Sequence, residues 1–148
     1  VGVFVNASME LVTGLLNDGT LAAAQLHGQE DETYIRELKQ LSDKPIIKAF
    51  SVKTAEDIEK AVQSPADYIL LDQGSGGTGK TFDWSLIPEI QRPFFLAGGI
   101  GASNLGQAIR EIHPYAVDLS SSVETEKRKD PMKIRQVVDI VREIRIIN

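Results

Sequence analysis

Apolar residues along this chain gather in short unbroken runs, separated by longer segments in which they recur every third or fourth position. Val1 to Val5, Ala23 to Leu26, Ile46 to Phe50, Tyr68 to Leu71, Phe94 to Ala97 and Ala116 to Leu119 read as six strands covered on both faces. Helical spacing occupies Met9 to Leu16, Glu32 to Leu41, Ala55 to Val62, Leu105 to Ile112 and Met132 to Ile144, and a weak sixth helix is expected after Trp84. In the longest of these, Ile134, Val137, Val138, Val141 and Ile144 form one apolar stripe, as expected of a helix lying on a sheet.

Doubly covered strands joined by helices make a parallel sheet, which leaves an open doubly wound sheet or a (βα)8 barrel. Polar residues and glycines end almost every strand: Asn6, His27-Gly28, Ser51, Asp72, Gly98-Gly99 and Ser120-Ser121-Ser122. A barrel draws its site from all of its strand ends, whereas an open sheet concentrates it at one switch point, so this spread selects the TIM barrel. At about 25 residues per βα unit, eight units need about 200 residues, near the lower end for such barrels. The expectation is therefore a partial barrel of six parallel strands and six helices, forming one domain over residues 1–148. Val1 to Val5 reads as a strand already under way, so two units are expected to be missing from the front.

With a net charge of -5, non-specific binding to nucleic acid or to an anionic membrane is not expected, and a small anionic substrate must be held by local groups. The sequence has no apolar run long enough for a membrane span and no secretory leader pattern. It contains no cysteine, hence no disulfide framework, and a cytoplasmic location is expected. The charged run Glu126 to Asp130 reads as a solvated turn.

Gly74 to Thr81 fits the nucleotide-binding pattern G-x-x-x-x-G-K-[ST] letter for letter. The context opposes that reading, because Pro88 permits only a short following helix and Asp72 would set a carboxylate beside a triphosphate. A carboxylate at a strand end followed by a glycine-rich loop suits a general acid or base under a lid formed by Gly76, Gly77, Gly79 and Lys80. In the last two units, the main-chain amides of Gly98 and Gly99 and the amides or hydroxyls of Ser120 and Ser121 stand where many barrels bind phosphate.

These residues resemble one family. Val1-Gly2-Val3-Phe4-Val5-Asn6, Gln25-Leu26-His27-Gly28, Leu70-Leu71-Asp72, Gly76-Gly77-Thr78-Gly79-Lys80-Thr81-Phe82-Asp83-Trp84, Leu96-Ala97-Gly98-Gly99 and Val117-Asp118-Leu119-Ser120-Ser121 are similar in order and approximate spacing to phosphoribosylanthranilate isomerase of tryptophan biosynthesis. The resemblance covers the whole chain. It implies an Amadori rearrangement of N-(5-phosphoribosyl)anthranilate, with a small phosphorylated substrate and neither metal nor organic cofactor. It also implies that Asp72 is the general acid protonating the ring oxygen, that Gly98, Gly99, Ser120 and Ser121 hold the phosphate, and that Asp118 orients the substrate. A cysteine at the end of the family's first strand is its general base, and that segment, with a substrate-binding arginine, would precede Val1.

Two readings stand for Asp118, substrate contact or a cap on the following turn, and two for His27, which faces the anthranilate or only hydrogen-bonds at a strand end. Asp83 and Trp84 read as a helix cap and a packing aromatic. The alternatives to this isomerase are another sugar-phosphate isomerase or lyase barrel and a non-catalytic phosphate-binding module. A barrel short of two units is expected to self-associate through its open edges, or to be complemented by the missing segment.

Overall fold

The computed structural model describes residues 1–72, 84 and 87–147. Six parallel strands form one sheet: β1 (Gly2–Phe4), β2 (Ala24–Leu26), β3 (Ile46–Ser51), β4 (Tyr68–Asp72), β5 (Phe94–Ala97) and β6 (Ala116–Val117). Their spatial order is their chain order, with no reversal. A doubly wound sheet reverses direction at its switch point, so the sequential order decides for the barrel. Among the described residues β1 and β6 each pair on one side only, and Val1, Val3 and Val5 are 71%, 62% and 65% exposed.

Five α-helices are described: α1 (Met9–Asn17), α2 (Glu32–Leu41), α3 (Ala55–Val62), α4 (Leu105–Ile112) and α5 (Pro131–Ile147). A sixth helix is expected after Trp84, but residues 85 and 86 lie outside the described residues and 87–93 carry no helix. The helix starts follow local chemistry. Ser8 Oγ accepts the Leu11 amide hydrogen in α1, Asp31 Oδ1 accepts that of Tyr34 in α2, and Thr54 with Asp57 closes a reciprocal capping box on α3. Proline at the first position of α5 lacks only a hydrogen that would have no partner there, and Asp130 Oδ1 accepts the next amide.

Alternation along each strand divides the core into two layers. Ile46, Ile69, Leu71, Phe94 and Leu96 face the helices, whereas Ile47, Ala49, Leu70 and Ala97 pack against one another on the inner face with Tyr68 and Phe95. Leu16, Leu26, Ile35, Leu38, Ile58, Ile69 and Leu105 are fully buried, each contributing about 1.5–3 kcal/mol of transfer free energy. The apolar stripe of α5 is narrower than its spacing predicts. Val137 and Ile144 are buried and Ile140 and Val141 pack on the core, but Ile134 and Val138 lie outside that contact, 40% and 38% exposed. One helix face can touch only one layer, and these two lie to one side of it.

The last strand is also shorter than expected, ending at Val117, although the Asp118 amide continues the ladder to Leu96 O at 2.9 Å. Ser121–Val123 then forms a single 3-10 turn. The charged run forms a small antiparallel hairpin, β7 (Glu124–Thr125) and β8 (Arg128–Lys129), turning at Glu126 and Lys127 with φ of 51° and 62°. It is a solvated turn, as its composition implied.

Candidate active site

The register of the parallel ladder sets the strand ends level. Ser51 pairs with Asp72 and Asp72 with Ala97, so the Asp72 carboxylate stands at the rim beside the glycine loop that follows β5. A cavity of about 760 Å³ opens there, and His27, Asp72, Gly98, Gly99, Asp118, Ser120 and Ser121 all line it. All seven site residues expected on these strand ends thus share one pocket. Gly76, Gly77, Gly79 and Lys80, expected to form a lid, the nucleotide-type motif 74–81 and Asp83, expected to cap a helix, lie outside the described residues. Trp84 packs against the helix-side core, in line with its reading as a packing aromatic.

The two loops of the last units meet. Gly98 and Gly99 adopt φ of 80° and 66°, in the left-handed region open to glycine, which turns the chain sharply where it lines the cavity. Asn104 fastens this loop, donating from Nδ2 to Gly99 O at 3.0 Å and accepting the Gly101 amide on Oδ1 at 2.8 Å. A methyl group on Gly101 would lie 3.2 Å from Ser122 Cβ, so the glycine and serine loops are in contact. From the other side Lys129 Nζ donates to Ser120 O at 3.0 Å and Ser120 Oγ at 3.2 Å while pairing with Glu124 at 2.7 Å. None of the described lining residues is Lys or Arg, so an anion here would meet amide and hydroxyl donors.

His27 and Gln25 line the cavity on the Asp72 side. His27 Nε2 lies 3.6 Å from Asp72 Oδ2, and Gln25 Nε2 lies 3.1 Å from His27 Nδ1. The amide nitrogen of Gln25 only donates, so Nδ1 is the accepting ring atom and Nε2 faces Asp72. Gln25 was not foreseen as a site residue. Its position two residues before His27 on a strand, hence on the same face, was the available signal.

Lys48 and Glu30 were also missed. Lys48 is 5% exposed and Glu30 7%, and they pair at 3.0 Å behind the strand ends. A charged residue inside the apolar run Ile46 to Phe50 demands a buried partner, although nothing local says which one. Burial pushes the Glu30 carboxyl up, but hydrogen bonds from its own amide, Lys48 and the Asn6 amide, together with the Lys48 charge, hold it below the ordinary glutamate value. Among the described residues no group of three or more His, Asp or Glu side chains could share a metal ion.

The family model for N-(5'-phosphoribosyl)anthranilate (PRA) isomerase matches residues 1–140. The chain belongs to the phosphoribosylanthranilate isomerase family. It is similar to the N-(5'-phosphoribosyl)anthranilate isomerase of Endomicrobium trichonymphae, 45% identical over 148 residues, covering 97% of this chain and 72% of that protein. It superposes on the phosphoribosylanthranilate isomerase of Thermotoga maritima with a TM-score of 0.84 at 36% identity, covering 96% of this chain and 72% of that one. A further crystal structure of such an isomerase, in complex with reduced 1-(o-carboxyphenylamino)-1-deoxyribulose 5-phosphate, matches with a TM-score of 0.81 at 34% identity over 96% of this chain and 70% of that one.

The phosphoribosylanthranilate isomerase reaction is an intramolecular aldose-to-ketose conversion in tryptophan biosynthesis, and it is the activity of this family member. No helix among the described residues is long and apolar enough to cross a membrane.

Proposed function

We propose that the cavity at the C-terminal strand ends is the substrate site of this isomerase, and that it divides into an acid side on β2 and β4 and a phosphate side on the loops after β5 and β6. Asp72 protonates the ribose ring oxygen as the C1–O bond breaks, with the anthranilate nitrogen supplying the electron pair that leaves an iminium at C1. Removal of the C2 proton returns electrons toward that iminium as an enolamine, which tautomerises to the ketose product. The base for that step is a thiolate carried on a segment other than residues 1–148, which contain no cysteine. Gly98, Gly99, Ser120 and Ser121 hold the phosphate by amides and hydroxyls, Asp118 orients the sugar, and His27 lies beside the acid. Gly76, Gly77, Gly79 and Lys80 act as the lid. Residues 1–148 work as one domain in the cytoplasm, and the single-sided edges of β1 and β6 are where the chain self-associates.

The observation that carries this reading is that Asp72, His27, Asp118 and the Gly98-Gly99 and Ser120-Ser121 loops line one cavity. In isomerase-active protein, Asp72→Asn is expected to lower kcat by roughly 10²- to 10⁴-fold, the usual worth of a general acid. A rate within a few-fold of the parent enzyme removes Asp72 from the acid role.

A further inference from the structure

A lysine and a glutamate sealed from solvent, outside the cavity and unused by the reaction, call for an explanation. An isolated buried ion pair is a poor source of stability, since desolvating two charges costs about what their attraction returns, and apolar residues of like volume often serve as well. What this pair holds is more telling. Lys48 Nζ spends its three hydrogens on Leu26 O at 3.4 Å, Gly28 O at 2.8 Å and Glu30 Oε2 at 3.0 Å. Glu30 Oε2 also accepts the Gly28 amide at 2.9 Å, and Oε1 accepts the Asn6 amide at 2.7 Å.

Leu26 O and the Gly28 amide belong to the two peptide groups on either side of the His27 Cα. The His27 amide itself donates to Phe4 O at 2.8 Å. Both peptides around His27 are therefore held from behind the sheet, while its ring reaches forward to Asp72 and Gln25. Because Glu30 also binds Asn6 at the end of β1, the pair ties the ends of β1, β2 and β3 into one unit.

We infer that Lys48 and Glu30 are positioning residues of the isomerase, which set the His27 imidazole against the Asp72 carboxylate by clamping the main chain on both sides of His27. This rests on the site reading above. Neither side chain lines the cavity, and both act through His27. The phosphate side, built on the loops after β5 and β6, is outside their reach, so they govern turnover and leave substrate affinity alone.

The chain holds two histidines, His27 and His113, so ring-nitrogen NMR resolves both without ambiguity. In the otherwise unaltered chain, Asp72→Asn is expected to move the His27 ring signals and leave those of His113 in place. Lys48→Met leaves Glu30 as a buried unpaired charge and is at risk of not folding. The decisive background is therefore Lys48→Met with Glu30→Gln, which removes both charges at similar volume. In that background the His27 response to Asp72→Asn is expected to be lost while His113 stays unchanged, and in isomerase-active protein kcat is expected to fall about 10- to 100-fold at constant KM.

A folded double variant that keeps the full His27 response overturns the inference, as does a rise in KM at unchanged kcat. Failure of both variants to fold also overturns it, assigning the pair to stability alone. If instead Asp72→Asn leaves turnover intact while its effect on the His27 ring persists and depends on Lys48 and Glu30, the catalytic reading has failed and the clamp has not.

Discussion

Gly28→Ala should damage this molecule far more than the loss of one glycine suggests, and Gly14→Ala should stabilise it. A methyl group built on Gly28 would sit 2.5 Å from Asn6 Oδ1 and 2.7 Å from the Asn6 main-chain nitrogen. The Asn6 side chain can rotate away only by giving up the hydrogen bond it accepts from the Gln29 amide at 2.6 Å. The nitrogen cannot rotate at all. To reach ordinary contact distance the end of β1 must retreat by about 0.7 Å, which breaks or lengthens the 2.7 Å bond from the Asn6 amide to Glu30. A neutral hydrogen bond is worth about 1 kcal/mol and one to a buried carboxylate about 1.5–3 kcal/mol, so the expected loss is about 3 kcal/mol. For a chain of this size that corresponds to a Tm lower by about 6–12 °C. Gly14 lies inside α1 with nothing within 4 Å of its added methyl, so the same chemical change there should gain about 0.5–1 kcal/mol by removing glycine's entropy from the unfolded chain. Urea unfolding followed by far-UV circular dichroism measures both. Equal midpoints for Gly28→Ala and the parent chain would refute the close-approach argument, and equal losses in the two variants would point to a general glycine effect instead.

Inorganic phosphate titrated into the labelled chain should shift the Gly98, Gly99, Ser120 and Ser121 amides together, and shifts confined to residues 74–81 would restore the nucleotide-loop reading. Glu30 is held below the ordinary value near 4.5, so its contribution is fully present above about pH 4.5 and is lost as pH falls through the lower native value. The stability gap between the parent chain and Glu30→Gln should therefore be flat near neutrality and close in acid. A gap that persists unchanged to about pH 3 would mean that Glu30 does not enter the pair as a carboxylate.

Patterns that act over a few residues were legible in the chain. Strand runs such as Phe94 to Ala97 and helix segments such as Glu32 to Leu41 sit where their periodicities put them, because burial on two faces or one is written into adjacent positions. Residues at strand ends, Asp72 and Gly98-Gly99 among them, could be singled out because a parallel barrel has one functional rim and every strand points its end toward it. Relations across the barrel were a different matter. That Glu30 serves Lys48, 18 residues away, that Gln25 reaches the His27 ring, that Gly101 touches Ser122, and that Ile134 and Val138 fall outside the contact of α5 follow from how neighbouring strands and helices come to lie side by side. Strand order itself belongs here, since the same runs of apolar residues suit an open sheet or a barrel. Local pattern determines which residues must be buried and which way the chain points. Only the closing of one strand against the next determines which buried groups meet, because that depends on register and packing between segments that share no neighbourhood in sequence.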